Sequence, residues 1–180
     1  AYSAFLNRIK VTDVNYSDKG IQLMKNLWWN PIDDPHLLVV GGTGGGKTVL
    51  LRTLIRALAK EGVVDIGDPK QGDFVTMDEQ KAFEGRISYQ VEDIVSMIER
   101  AVQIMFVRYA YMRQKRAENG DKDMKKFYEY GLEPYFLVCD EYNALCAMLD
   151  FQTRQRLDNA MGQFLLLGRQ AGCFAVTAMQ

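Results

Sequence analysis

The apolar positions of this chain change period several times, and each change predicts an element. Residues 35–42, Pro-His-Leu-Leu-Val-Val-Gly-Gly, hold a short unbroken apolar run that ends in glycine. That pattern suits a strand buried in a parallel sheet. Beyond Lys47 the spacing lengthens. Val49, Leu50, Leu54, Ile55 and Leu58 recur at helical intervals, and Lys60 and Gly62 close the run as a helix stop. A second short strand is expected at Val63 to Gly67. Val91, Ile94, Val95, Ile98, Val102, Met105, Tyr109 and Met112 then share one face of a long amphipathic helix. Pro134 to Asp140 read as a third buried strand, about Thr153 to Arg169 as a further helix, and Cys173 to Met179 as a fourth strand. Strand and helix in alternation predict an α/β fold, a mostly parallel sheet with helices on both faces.

Residues 1–34 carry shorter alternations, around Phe5 to Val11 and Gly20 to Leu27, with the turn-like Asn-Tyr-Ser-Asp-Lys-Gly between them. They are expected to form an N-terminal segment packed on a core of residues 35–180. At 180 residues the chain is long enough for one well-buried domain. Its 48% hydrophobic and 25% charged residues exclude a disordered polymer, and a formal net charge of -1 exerts no global pull toward nucleic acid or membrane. Cys139, Cys146 and Cys173 lack metal-ligand spacing and His36 is the one histidine, so a reduced, cytosolic compartment is favoured over a disulfide or metal framework. No apolar run approaches the roughly 20 residues needed to cross a bilayer. The first residue is Ala1, which is expected of a piece of a longer protein that carries any membrane anchor elsewhere.

The chemistry concentrates at Gly41, Gly42, Thr43, Gly44, Gly45, Gly46, Lys47 and Thr48, which satisfy the P-loop spacing GxxxxGK[ST] between a strand and a helix. Glycines let the backbone turn tightly and aim consecutive N–H groups at phosphate oxygens at the positive end of a helix. Lys47 is then placed to reach the β- and γ-phosphates of ATP, and the Thr48 hydroxyl to ligate Mg2+. A P-loop binds nucleotide, but hydrolysis needs a second group. The strand ending at Asp140 supplies it: an aspartate there can hold Mg2+ through water, and Glu141 beside it can polarise the attacking water.

Four blocks now make a family resemblance specific: residues 35–48, Asp68 to Lys70, Asp140 to Leu145, and residues 168–180. In this order they resemble the RecA-like motor domain of the FtsK/SpoIIIE family, and most nearly the FtsK-like, TcpA-type coupling ATPases of Gram-positive conjugative elements. The resemblance implies an ATP-driven, hexameric ring that moves DNA through its centre, usually anchored at the cytoplasmic membrane and working with a relaxase or secretion channel. It also implies active sites between subunits. Arg108, which aligns with an arginine of the family, is then either a finger on a neighbour's γ-phosphate or a solvated helix residue, and Arg169 is a second finger candidate. Gln180 matches the family's γ-phosphate sensor.

The chain departs from the family at Asn143, Ala144 and Met179. His36 reads as structural, Asp68 and Lys70 as either an ion pair or part of the site, and Trp28 and Trp29 as packing residues or base-stacking platforms. The basic run Arg113 to Arg116 reads as a solvated helix end or a phosphate contact. Two other functions stay open, a related ATPase that exports protein and a ring-forming scaffold that does not hydrolyse. Glu141 argues against the scaffold.

Overall fold

The structure, a computed structural model, describes residues 20–42 and 44–180, with the backbone alone at Tyr16 and Ser17. The strand expected around Phe5 to Val11 and the P-loop residue Thr43 lie outside the described residues. Strands β1 (Tyr16–Ser17), β2 (Gly20–Met24) and β3 (Leu27–Trp29) form a small antiparallel sheet. Ile21 and Trp29 from this sheet are buried in the same apolar cluster as helix α1 (Lys47–Glu61), and the Trp29 indole donates to the Asp34 carbonyl at 2.7 Å. Trp29 is therefore a packing residue.

The main sheet is parallel throughout. It contains β4 (Leu37–Val40), β5 (Val63–Gly67), β6 (Ile87–Ser88), β7 (Tyr135–Cys139) and β8 (Cys173–Met179), in the spatial order β4-β8-β7-β5-β6. Successive side chains of a strand point to opposite faces, and the residues are distributed accordingly. Phe136, Val138, Phe174 and Val176 face α1 and the small sheet, whereas Tyr135, Leu137, Cys139, Cys173 and Ala175 face a second cluster. That second layer is built by α3 (Val91–Asn119), α4 (Tyr142–Met148) and α5 (Phe151–Leu167). The short helix α2 (Val75–Asp78) adds Met77 to the α1 side.

Among the described residues, the strands expected at residues 35–42, 63–67, 134–140 and 173–179 and the three long helices are present, some with shifted ends. Helix α5 starts at Phe151, two residues early, because Asp150 caps it by accepting from the Thr153 N–H at 2.8 Å. It stops at Leu167, and Arg169–Ala171 form a 3-10 turn. The expectation that β4 is fully buried is corrected. Leu37 and Val39 pack inward, but Leu38 is 56% and Val40 66% exposed. The strand is the edge of the described sheet and α5 lies over β8, so an unbroken apolar run here serves one covered face.

His36 secures that edge. Its Nε2–H donates to the Leu165 carbonyl at 2.8 Å, and its Nδ1 accepts from the Ala175 N–H at 3.0 Å. The ring thus ties β4 to β8 and to α5 as a neutral imidazole, and burial holds its pKa below the usual value. No helix among the described residues is long and apolar enough to cross a membrane.

Candidate active site

In a parallel sheet the strands deliver their carboxyl ends to one edge, and loops at that edge converge. Strand β4 feeds the P-loop there and β7 feeds Asp140, with β8 between them. Neighbouring strands lie about 4.8 Å apart, so the two loops are separated by roughly 10 Å. A lysine side chain spans most of that gap. The Gly41 N–H donates to the Met179 carbonyl at 3.2 Å, which fixes the start of the loop against the end of β8 and places Gln180 beside it. Gly44 and Gly46 take φ of 77° and 83°, and the Gly45 N–H closes a turn onto the Gly42 carbonyl at 3.1 Å. Left-handed backbone of this kind strains any residue with a Cβ, which is the reason for glycine at 44 and 46.

Lys47, the first residue of α1, extends back across the loop to the carboxylates. Its ammonium pairs with Glu141 Oε1 and lies 3.2 Å from Asp140 Oδ1. Both acids are buried, Asp140 at 1% exposed and Glu141 at 3%. Burial drives the Asp140 pKa up, against the opposing pull of Lys47. Burial pushes Glu141 upward too, but hydrogen bonds from Lys47 and Lys70 outweigh it and keep this carboxyl below its ordinary range. Lys47 is the converse case: burial disfavours the ammonium, and the hydrogen bonds and fields of Glu141 and Asp140 hold its pKa above normal. Glu141 itself has φ 46° and ψ 46°, left-handed for a non-glycine residue, and its N–H donates to Asp140 Oδ1 at 2.9 Å. Such strain persists where the surroundings over-determine it, as they do here through three charged neighbours.

Oδ2 of Asp140 is buried and has no hydrogen-bond partner among the described residues. An unsatisfied buried carboxylate oxygen is destabilising, and a metal-bound water removes the penalty. The donor set fits Mg2+, a hard cation that keeps several waters and takes few protein ligands beside substrate phosphates. Thr48 would supply the hydroxyl and Asp140 the carboxylate.

Sequence reasoning missed Asp73. Its Oδ2 accepts from the Thr48 hydroxyl at 3.1 Å, and its backbone carbonyl accepts from Arg52 Nε at 2.7 Å. The polar run Asp68 to Asp73 before the buried Phe74 was the only signal, and nothing in its spacing points to Thr48. Lys70 and Asp68, left open above, are resolved: Lys70 Nζ lies 3.1 Å from Glu141 Oε1, while the Asp68 carboxylate accepts backbone N–H groups of its own loop.

Arg108 and Arg169 lie elsewhere. Helix α3 starts at the carboxyl edge of the sheet and Arg108 is about 25 Å down it, at 1.5 Å per residue. Its Nη1 donates to the Ala171 carbonyl at 3.0 Å, next to Gly172, whose carbonyl accepts from the Tyr135 N–H at the amino end of β7. Arg169 Nε donates to the Ile32 carbonyl at 3.2 Å. Both arginines therefore sit at the sheet end opposite Lys47, and action on a nucleotide from there requires a neighbouring chain. Of the basic run, Lys115 pairs with Glu118 at 2.8 Å and Arg116 Nε bonds the Asp121 carbonyl at 3.2 Å, the arrangement of a solvated helix end.

The sequence and fold also resemble those of known proteins. The chain is 34% identical to the Ftsk domain-containing protein YdcQ of Bacillus subtilis (strain 168), over 99% of this chain and 36% of that protein. It thus spans little more than a third of the length of this relative. Its fold is similar to that of the pCW3 conjugation coupling protein TcpA in a monomer form with ATPγS, at a TM-score of 0.65 and 23% identity, covering 84% of this chain and 44% of TcpA. It is similar as well to the cytoplasmic domain of the Thermomonospora curvata type VII secretion ATPase EccC, at a TM-score of 0.54 and 22% identity, covering 81% of this chain and 18% of EccC. The sequence pattern of FtsK/SpoIIIE proteins matches residues 17–178, and the chain belongs to the FtsK/SpoIIIE family.

Proposed function

We propose that this chain is the ATP-hydrolysing motor of a DNA translocase, of the coupling kind that drives DNA transfer in conjugation. The observation that carries the reading is the convergence of Lys47, Asp140 and Glu141 on one point at the carboxyl edge of the sheet, with Asp140 Oδ2 unpartnered. Triphosphate seats on the backbone N–H groups of residues 41–48, and Lys47 moves from the carboxylates to the β- and γ-phosphates. Thr48 and Asp140 would hold Mg2+, the latter through water, and the ion would supply neutralisation of phosphate charge. Glu141 polarises a water whose oxygen bonds the γ-phosphorus as the bond to the β-phosphate oxygen breaks; the water's proton passes toward the carboxylate. Gln180, at the end of β8 beside the P-loop, is the γ-phosphate sensor.

Subunits are arranged as a homo-oligomeric ring, with Arg108 or Arg169 of one chain reaching the site of the next, and the complete protein acts at the cytoplasmic membrane with a relaxase or secretion channel. The similarity to TcpA supports the conjugative reading, and that to EccC supports a second one, in which the same motor exports protein. The distinguishing experiment is the steady-state ATPase rate of the intact protein, with Glu141→Gln as the blank, alone and with single-stranded or duplex DNA. Stimulation by one form of DNA supports the translocase and names its track. Hydrolysis indifferent to both favours protein export, and hydrolysis unchanged in Glu141→Gln removes the assigned base.

A further inference from the structure

Two ammonium groups meet one carboxylate oxygen. Glu141 Oε1 pairs with Lys47 and with Lys70 at 3.1 Å, although the carboxylate side chain is only 5% exposed. The two lysines are not equivalent. Lys47 is on the P-loop helix, 8% exposed, and is the group a bound triphosphate withdraws. Lys70 is 45% exposed and belongs to the loop after β5.

That loop is held without help from Lys47. Asp68 is fully buried, and its carboxylate accepts from the N–H groups of Lys70 and Gln71, each at 3.2 Å, and of Gly72 at 3.1 Å. Gln71 takes a left-handed φ of 57° within this loop, and the Lys70 ammonium reaches Glu141. Asp73 fastens the other end of the loop to Thr48 and Arg52. The backbone that carries Lys70 is thus held by β5 and α1, within reach of Glu141.

We propose that Lys70 is the exchange counter-ion of Glu141, the positioning residue that releases Lys47 to the nucleotide, a role that rests on the P-loop reading above. Removing one partner of a buried ion pair is strongly unfavourable, because the remaining charge has neither water nor a counter-ion. If Lys47 were the only cation on Glu141, each triphosphate would have to strip it from a buried carboxylate. With Lys70 in place the exchange leaves Glu141 paired throughout. Lys70 therefore sets nucleotide affinity through Glu141 without touching the nucleotide.

The test is the dissociation constant of a non-hydrolysable ATP analogue for the intact protein, measured by equilibrium titration. Lys70→Met weakens binding by about tenfold, the equivalent of roughly 1.4 kcal/mol, and Lys70→Arg restores most of it. In a Glu141→Gln background, where a neutral amide needs no counter-ion, Lys70→Met has no further effect. Wild-type affinity in Lys70→Met overturns the proposal. So does an equal loss in both backgrounds, which would mean that the loop, and not the charge, was lost. Absence of analogue binding by the wild-type protein overturns this proposal and the P-loop reading together, whereas binding that ignores Lys70 overturns this one alone.

Discussion

Replacing Asp73 by alanine removes one carboxylate and leaves its surroundings nearly intact. The backbone carbonyl that accepts from Arg52 Nε at 2.7 Å is retained, so the loop stays tied to α1. What disappears is the acceptor 3.1 Å from the Thr48 hydroxyl. Hydrogen bonds to charged groups are worth about 1.5–3 kcal/mol, and length and half-exposure place this one below that range, so folding stability falls by about 1 kcal/mol. The effect on Mg2+ is larger. In the proposed site, with its proton committed to Asp73, the Thr48 oxygen would present lone pairs to the metal; without that acceptor the hydroxyl would turn freely. Loss of such an orienting partner costs roughly 10- to 100-fold in metal affinity. The assay titrates Mg2+ against binding of a non-hydrolysable ATP analogue at fixed concentration. In Asp73→Ala the Mg2+ midpoint rises by about tenfold at least, while binding in excess chelator stays at the wild-type level. An unmoved midpoint in a folded variant refutes the orienting role. An equal loss in chelator shows that Asp73 acts on the loop instead of the metal.

Gly172→Ala destabilises the fold: the residue has φ 69°, and an added Cβ would lie 2.4 Å from Phe127 Cδ2. Left-handed strain and overpacking together predict a loss of about 2–4 kcal/mol in urea unfolding, and an unchanged midpoint would contradict it. His36 has its pKa depressed by burial, so its contribution is complete above the unfolded value of 6.5 and is lost as pH falls through that value toward the folded pKa. NMR of this single histidine should give a midpoint below 6.5, and one at or above it sinks the neutral-ring assignment. Arg108→Ala should lower stability by about 1 kcal/mol through the lost bond to Ala171, leave nucleotide affinity of one chain unchanged, and reduce turnover of the assembled protein. Full turnover would leave Arg108 a brace for the Arg169–Ala171 turn and nothing more.

Much of this protein is local, and the local part was legible. Gly44, Gly46, Lys47 and Thr48 are recognisable because a phosphate loop needs left-handed backbone, a cation and a hydroxyl at fixed offsets along one continuous segment. Strands β5, β7 and β8 and helices α1, α3 and α5 are legible because apolar period follows backbone geometry. Asp140 and Glu141 announced themselves by ending an apolar strand. Short elements such as α2, β6 and α4 have too few residues to establish a period. The partly open face of β4 depends on strand order, which no local pattern encodes. Lys70 on Glu141 and Asp73 on Thr48 join segments that are distant along the chain. What decided them was the parallel sheet, which delivers the loops after β4, β5 and β7 to one edge and brings their charges within reach of one another.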